Sequence, residues 1–452
     1  MVILLITILA QQKTIPHLQT AENAMLKYLN KKLIRTVLLI CLFLQISEIY
    51  AQSPESFRLA IAQQSINLNH EQLLNTHRQK QLPPFPDFGD FKVFGMGEQS
   101  HGTSEFIRAK TRLISYLSAK YKINKIGLEA PMAEVAQLNA YLLNGKPGLP
   151  EILKSFQLYN YECKEFIELV ETVREINKKN TRQIRFFGFD FQSPYQTLQN
   201  LSAYSKTRKI PNTDSIAKII GYYKQLDYQL SSHTFSPEDF QTLNAMSKQF
   251  MKAYQDLQTK DGTLDSGLVK NIKNYQQFLL LNDPEKNKHD VKIMSNTRDS
   301  LMAENVLGEV TAESKIILLA HNGHIQKTRN PYSNAMGLFL KKKLGVAYKS
   351  MGMSTSEGFY TAYNDQQQKV SSKNPIQQPL ADSFEYYFSR THKPAFLLNT
   401  RLISTKKIPA NRYRFLPFGY TDKQFQAGNI LADFDYILHI NKTTGTNSFY
   451  VN

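Results

Sequence analysis

Cysteine is scarce in this chain, which has two in 452 residues, and long apolar runs are scarce as well. Only Cys163 lies downstream of the predicted leader described below, so a disulfide within the mature chain is excluded. Residues 37–46 form a run of about ten mostly apolar residues, whereas a membrane-spanning helix needs about 20. We therefore expect no stable membrane insertion of the mature protein.

The first part of the chain has the pattern of an export signal rather than of a folded domain. Ala51 offers a small residue for cleavage just after the apolar run. We predict an upstream extension and secretory signal peptide at 1–51 (the signal itself at about 25–51), a mature domain at 52–452, and a periplasmic or secreted protein. The alternative is a membrane anchor that is never cleaved. The basic residues that precede the apolar run are Lys27, Lys31, Lys32 and Arg35.

Acidic residues are too few to balance the basic ones, and the formal net charge is +17. Such a charge is found in proteins that bind nucleic acid or anionic surfaces, and also in proteins that it merely keeps soluble. The lysines are spread along the whole chain and form no stripe interleaved with aromatic residues, which a nucleic-acid interface would need. We predict no nucleic-acid partner, and the sequence does not indicate an oligomeric state.

Short, almost continuous apolar runs predict strands that are buried on both faces. Amphipathic helices are predicted at 104–120 and 162–178, between some of these runs. Repetition of strand, helix and strand favours parallel pairing with right-handed crossovers. We predict an α/β fold, with a three-layer, mostly parallel sheet and helices on both faces. The predicted strands are 92–96, 125–128, 184–189, 316–320, 395–398 and 436–440.

The middle of the chain lacks strand-like runs. Residues 198–296 instead predict helices, for example at 215–230, 238–258 and 267–282, with many tyrosines among them. We interpret this segment as a helical insertion that caps the edge formed by the strand C-termini. Its aromatic residues would either shape an apolar substrate pocket or pack helix against helix.

Familiar catalytic motifs are missing or incomplete. The chain contains no His-Glu-x-x-His zinc motif. A dinucleotide loop beginning at Gly95 fails at Ser100, where the third glycine should stand. A nucleophile elbow around Ser100 would have Glu98 in place of its first glycine, which makes a serine nucleophile a weak alternative.

Two turns that follow predicted strands remain as carriers of chemistry. Glu98 and His101 are three residues apart in a turn that opens a helix, and a carboxylate that orients an imidazole suits a general base. His321 and His324 are also three residues apart, after the strand at 316–320. In open α/β sheets, ligands bind where parallel strands end. We therefore expect these four side chains at one crevice.

Two further carboxylates end predicted strands and would lie along the same edge. Glu129 follows the run at 126–128, and Asp190 follows the run at 186–189. A carboxylate at this position is often only a cap for the next helix. That alternative stays open for Asp190 and is weaker for Glu129.

Several short pieces of the sequence, among them the turns with Glu98 and His101 and with His321 and His324, together resemble the erythromycin esterase family. Each piece alone is a weak signal, but the pieces occur in the order in which the family has them. A departure is Thr111, where many members have histidine after the basic residue at 110. The matching pieces are residues 97–106, 127–130, 185–190, 298–299, 302–305, 320–328 and 351–353.

The resemblance implies hydrolysis of an ester or macrolide lactone by activated water, without a covalent acyl-enzyme, a metal or another cofactor. His101 would be the general base and Glu98 its partner, with Glu129 and His321 as further catalytic residues. The resemblance also places a small-molecule ester or lactone as the substrate and suggests a link to antibiotic resistance. The expected substrate-binding residues are His324, Arg298 and Lys110.

Two other classes of function stay open at this stage. Glu98 with His101, His321 or His324 would also suit a metal-dependent hydrolase with two histidines and one carboxylate. The second of these classes is a protein without enzymatic activity that binds haem or a similar ligand on the same fold. Chelator sensitivity would identify the first alternative, and a haem titration would identify the second.

Overall fold

Apolar, mostly unbroken segments form the strands of the central sheet, as the sequence predicts. The structure is a computed structural model that describes residues 36, 53–75, 82–210, 213–226, 235–261, 266–404 and 408–451. Within it, Arg58–Asn452 form one compact unit and Met1–Phe57 another. Apart from residue 36, the predicted signal peptide lies outside the described residues, and its boundary at residue 51 stays a prediction.

The described residues contain eleven strands, and all six predicted ones are among them. Their predicted and observed ends agree within three residues, because each run of apolar side chains is buried on both faces. The strands are β1 (Ser65–Asn67), β2 (Val93–Met96), β3 (Lys125–Pro131), β4 (Arg185–Asp190), β5 (Ile316–Leu319), β6 (Tyr348–Asn364), β7 (Lys369–Ile376), β8 (Ala395–Asn399), β9 (Arg412–Arg414), β10 (Phe425–Ala427) and β11 (Tyr436–Thr443).

The helices alternate with the strands in the first part of the domain. Among the described helices, none is long and apolar enough to cross a membrane. The helices are α1 (Pro54–Gln64), α2 (His70–Leu74), α3 (Ser104–Tyr121), α4 (Met132–Asn144), α5 (Leu149–Ser155), α6 (Lys164–Lys179), α7 (Tyr195–Arg208), α8 (Ser215–Leu226), α9 (Pro237–Asp261), α10 (Ser266–Asn282), α11 (Pro284–Asn287), α12 (Val291–Gly308), α13 (Asn322–Ile325), α14 (Met336–Leu344), α15 (Phe384–Ser389) and α16 (Ile430–Asp433).

The central sheet has nine strands in the order β1-β8-β11-β6-β2-β5-β3-β4, and β7 pairs with β6. The pairs from β11 through β6, β2, β5 and β3 to β4 are parallel. The pairs β1–β8, β8–β11 and β6–β7 are antiparallel. The prediction of a mostly parallel sheet is therefore confirmed.

Helices cover both faces of the sheet, which follows from the direction of side chains along β2. Phe94 and Met96 belong to the main apolar core, together with Phe106 of α3 and Phe166 of α6. Gly95 lies between them on the opposite face, where a Cβ atom would meet Ile325 of α13. Alternate residues of one strand thus pack against different helical layers, as the predicted three-layer fold requires.

Strand β6 is the main element that the sequence did not predict. It runs from Tyr348 to Asn364 and lies between β2 and β11. Its middle is small and polar, with Ser350, Ser354 and Thr355 all buried, so it has no apolar run to reveal it. Near the C-terminal end of this strand, Thr361 donates its N–H to the carbonyl of Gly102 at 2.8 Å. A side chain at Gly102 would collide with the Thr361 backbone, which explains the glycine.

The predicted helical insertion is confirmed as helices α7 to α10. Their aromatic residues form a second apolar cluster, separate from the core of the sheet, which includes Tyr223, Tyr254 and Tyr275. These tyrosines pack helix against helix rather than shaping a pocket. The insertion meets the C-terminal end of β4, where Asn274 Nδ2 of α10 donates to the backbone oxygen of Asp190 at 3.1 Å.

Candidate active site

The turn between β2 and α3 brings three charged or titratable side chains into one chain of hydrogen bonds. His101 Nδ1 lies 2.8 Å from Glu98 Oε1. Lys110, two turns into α3, donates from Nζ to Glu98 Oε2 at 2.5 Å. The turn itself is held by Gln99, whose side-chain amide donates to Glu385 Oε1 at 2.8 Å. Glu98 is therefore fixed by two partners, and it fixes one side of the His101 ring.

The charge of Glu98 determines which nitrogen of His101 is free to react. Burial raises the pKa of Glu98, but the nearby Lys110 and His101 outweigh it and hold the pKa below its usual value. An ionised carboxylate only accepts hydrogen bonds, so Nδ1 of His101 carries the hydrogen in this contact. In the neutral ring, Nε2 then keeps its lone pair, and this atom has no hydrogen-bond partner among the described residues.

His321 lies at the start of α13, 5.0 Å from the His101 ring between centroids. Its Nδ1 accepts the N–H of Gly323 at 3.1 Å, which leaves Nε2 to donate to the backbone oxygen of Gln99 at 3.0 Å. Burial and the neighbouring His101 lower the pKa of His321 to about 3. His321 is thus a neutral imidazole with both nitrogens bound to backbone groups.

His324, three residues further along the chain, is protonated, whereas His321 is neutral. Its Nδ1 lies 2.8 Å from Asp299 Oδ1, and its Nε2 lies 3.2 Å from Glu129 Oε1. Burial lowers the pKa of His324, but the carboxylates of Glu129 and Asp299 outweigh burial and raise it to about 10. His324 is therefore an imidazolium that donates from both nitrogens.

Arg298 of α12 connects the C-terminal ends of β3 and β4. Its Nη2 donates to Asp190 Oδ2 at 2.6 Å and to Glu129 Oε1 at 3.0 Å, and its Nε donates to Asp190 Oδ1 at 3.2 Å. Burial raises the pKa of Glu129, but His324, His101 and Arg298 outweigh it and hold the pKa well below its usual value. Glu129 also accepts the N–H of His321 at 2.8 Å, so it connects Arg298, His324 and His321.

A cavity of about 380 Å³ opens above these groups. Its lining includes the charged side chains of Arg298 and His324 and an aromatic wall formed by Phe415 and Phe418. Phe418 meets the His101 ring edge-on at 5.7 Å between centroids. The remaining lining residues are Glu129, Leu158, Asn160, Gln192, Ser295, Asp299, His321, Gly323, Asn330, Tyr332 and Pro417.

The structure brings all seven predicted site residues into this region, but in two layers. His101, Glu129, Arg298, His321 and His324 line the cavity. Glu98 and Lys110 lie behind His101 and line a much smaller second cavity. The alternative of Ser100 as a nucleophile finds no support, because its buried hydroxyl bonds to Thr103 Oγ1 at 2.5 Å and does not line the larger cavity.

Sequence reasoning missed several parts of the site. Asp190, for which a capping role stayed open, is the main partner of Arg298. Asp299 was noted only as part of a matching piece, yet it holds His324. Phe415 and Phe418 come from the segment after β9, where the sequence has no catalytic signal. An aromatic pair in a loop rich in proline and glycine was the only available hint.

A metal centre with two histidines and one carboxylate would need a second free imidazole lone pair besides that of His101 Nε2, and this site does not offer one. Both nitrogens of His321 bond to backbone groups, and both nitrogens of His324 face carboxylates. Within the described part of the chain, no group of three or more His, Cys, Asp or Glu residues is placed to hold a metal ion. The geometry therefore does not favour the metal-dependent alternative.

Comparison with known proteins relates this site to a family. The family profile "Erythromycin esterase" matches residues 122–443, a range that begins after the turn with Glu98 and His101. Two Escherichia coli proteins, erythromycin esterase type II and type I, are 24% and 23% identical to this chain. The alignments cover 61% of the chain and 71% of type II, and 62% of the chain and 78% of type I. The putative hydrolase YbfO of Bacillus subtilis is 22% identical, over 74% of this chain and 80% of its own.

Solved structures share the fold. A Bacillus cereus protein has a TM-score of 0.73 at 19% identity and covers 87% of this chain and 99% of its own. A mutant of the erythromycin esterase EreC in its open conformation has a TM-score of 0.63 at 19% identity, over 80% of this chain and 92% of its own. Since the family profile matches well over half of the chain, the protein belongs to the erythromycin esterase family.

Proposed function

We propose that the protein hydrolyses an ester or lactone bond with a water molecule that His101 activates. The observation that carries this proposal is the His101 ring, which lines the cavity with one nitrogen held by Glu98 and the other without a partner among the described residues. A fixed tautomer with a free lone pair on the other ring nitrogen is what a histidine needs to take a proton from water.

The reaction follows from these positions. His101 Nε2 takes a proton from water while the water oxygen bonds to the ester carbonyl carbon. The carbonyl oxygen gains negative charge, and the protonated His101 then gives its proton to the departing alkoxide. The products are a carboxylic acid and an alcohol, which stay joined in one molecule when the substrate is a lactone.

Arg298 is the best placed of the cations to stabilise the developing oxyanion. Of the sequence candidates, Lys110 is behind Glu98, and His321 uses both nitrogens on backbone groups. Arg298 Nη1 lies 3.4 Å from His324 Nε2, but an imidazolium cannot accept a hydrogen bond, so the Nη1 hydrogens remain available to a ligand. Preorganised donors of this kind supply much of the catalysis in acyl transfer.

We propose a macrolide lactone as the substrate. Support comes from the names of the two Escherichia coli relatives, which are erythromycin esterases, and from a cavity whose lining includes both charged and aromatic side chains. A role in antibiotic resistance would follow if the protein acts on such a compound.

Mass spectrometry of erythromycin incubated with the purified protein tests this function. We expect a product heavier by one water, with and without EDTA, and no adduct on the protein itself. His101→Ala should reduce the rate by about 10²–10⁴-fold, the usual contribution of a general base. His70→Ala, at an exposed histidine outside the site, is the matched control. A His101→Ala variant that keeps more than about a tenth of the rate would refute the assignment.

A further inference from the structure

A second, much smaller cavity lies directly behind the Glu98–His101 pair. Its volume is about 20 Å³, and its polar lining comes from Glu98, His101, Lys110, Asn160 and Tyr161. A cavity needs about 10–15 Å³ and two or more polar partners to hold one water molecule. The cavity therefore has the size and the chemistry of a single water site rather than of a substrate site.

Asn160 stands out in this lining because its side chain is not satisfied. The residue is 7% exposed, and its Oδ1 is buried without a hydrogen-bond partner among the described residues. A buried amide oxygen without a partner costs about 1–3 kcal/mol, so such atoms normally bond to protein or to ordered water. Asn160 also lines the larger cavity, so it lies between the two.

The segment around Asn160 is held in place on both sides. The Tyr159 hydroxyl donates to the backbone oxygen of Phe418, and its ring packs on the Phe418 ring at 4.5 Å between centroids. The Tyr161 hydroxyl donates to the backbone oxygen of Glu129 at 3.0 Å. The backbone on both sides of Asn160 is thus tied to Phe418 and to β3, which fixes where its side chain begins.

We propose that the small cavity holds one water molecule, which accepts a hydrogen bond from Lys110 Nζ and donates one to Asn160 Oδ1. Lys110 has three hydrogens and gives one of them to Glu98, so it can also serve this water. With Oδ1 held in this way, the Nδ2 group of Asn160 points into the larger cavity. There it donates to the carbonyl oxygen of the substrate.

This inference rests on the proposed function and adds a catalytic residue to it. Arg298 gives the oxyanion a charged donor, and Asn160 adds a neutral donor on the side of the cavity near His101. Asparagine amides serve as oxyanion donors in acyl transfer, where the loss of one donor costs about 10²–10³-fold in kcat. Lys110 takes a positioning role, through Glu98 on one side and through the water on the other.

Two variants of Asn160 test the donor role with erythromycin as the substrate. Asn160→Asp keeps the shape and the Oδ1 acceptor but removes the Nδ2 donor, and Asn160→Ala removes both. Each should lower kcat about 10²–10³-fold with little change in KM, because the interaction strengthens in the transition state. Asn144→Ala, at an exposed position that ends α4, is the matched control. Thermal unfolding of each variant verifies that it folds.

The possible results separate this inference from the proposed function. An unchanged kcat in folded Asn160→Asp, together with an inactive His101→Ala, would overturn the donor role and leave the proposed function intact. No turnover by the parent protein would remove both. A high-resolution crystal structure decides the water independently: density within hydrogen-bond distance of Lys110 Nζ and Asn160 Oδ1 supports it, and an empty cavity overturns it.

Discussion

Replacement of Arg298 by methionine should destabilise the fold strongly, because this side chain balances two buried carboxylates. Arg298 donates to Asp190 Oδ2 at 2.6 Å and to Glu129 Oε1 at 3.0 Å. The Asp190 side chain is fully buried, and that of Glu129 is 7% exposed. Methionine fills much of the volume but leaves both carboxylates without this cation, while His324 still faces Glu129.

The size of the effect follows from burial. Removing one partner of a buried ion pair usually costs about 3–5 kcal/mol of unfolding free energy. The entropy of unfolding is about 2.1 cal/mol/K per residue, so over the unit Arg58–Asn452 this loss lowers Tm by about 4–6 °C. By contrast, Lys178→Ala removes an exposed pair with Glu175 on α6, and it should leave the stability almost unchanged because water screens this pair.

The loss of unfolding free energy in Arg298→Met should also depend on pH. The Glu129 carboxyl determines whether this loss grows or shrinks as the pH falls. In the parent protein the pKa of Glu129 is held well below its usual value, so its contribution to stability is present above the unfolded pKa of 4.5 and is lost as the pH falls toward the folded pKa. Without Arg298, Glu129 takes up its proton at a higher pH. The deficit of Arg298→Met is therefore full near neutral pH and shrinks in acid.

Differential scanning calorimetry of the parent, Arg298→Met and Lys178→Ala, at neutral pH and at about pH 4, measures both effects. Adding Asp190→Asn to Arg298→Met should restore part of the lost stability, because it removes one unpaired charge. A loss below about 1 kcal/mol at neutral pH, or a loss that does not change with pH, would refute this account of the carboxylates.

Three further predictions concern the histidines and the cavity wall. Glu98→Gln should lower kcat about 10²–10⁴-fold, because the amide no longer holds the His101 tautomer, and steady-state kinetics with unchanged kcat would contradict this. Imidazole ¹⁵N NMR should show His321 neutral and His324 protonated from about pH 5 to 8. Burial and His101 lower the pKa of His321 to about 3, whereas the carboxylates near His324 outweigh burial and raise its pKa to about 10. A titration of either ring in this pH range would count against the assigned contacts. Phe415→Ala removes the ring that meets His321 edge-on at 4.8 Å, and it should raise KM for erythromycin about tenfold with little change in kcat; an equal fall in kcat would instead indicate that Phe415 positions His321 for the reaction.

Local sequence patterns identified most of the elements that form the candidate site. Six strands were predicted with ends that agree with the structure within three residues. In a large α/β protein, a short apolar run between turns usually forms a strand that is buried on both faces. The spacing of Glu98 and His101 within one turn also survives intact, since a contact over three residues depends little on the rest of the fold. The same holds for the turn with His321 and His324.

Contacts between distant segments were decided by the tertiary structure alone. Strand β6 pairs with β2 and also bonds through Thr361 to the turn at Gly102, although its sequence has no strand period. The aromatic wall at Phe415 and Phe418 comes from a segment that has no catalytic pattern. For the helical insertion, the sequence left open whether the tyrosines shape a pocket or pack helix against helix, and in the structure they bury one another.

The charge states of His321 and His324 show most clearly the difference between what local sequence predicts and what distant contacts add. The apolar run at 316–320 was enough to predict that His321 and His324 follow a buried strand. Only the fold decided that His321 meets the backbone oxygen of Gln99 and stays neutral, while His324 meets Glu129 and Asp299 and stays charged. The physical reason is that burial removes water, so the charge of each ring depends on the partners that distant parts of the chain bring to it.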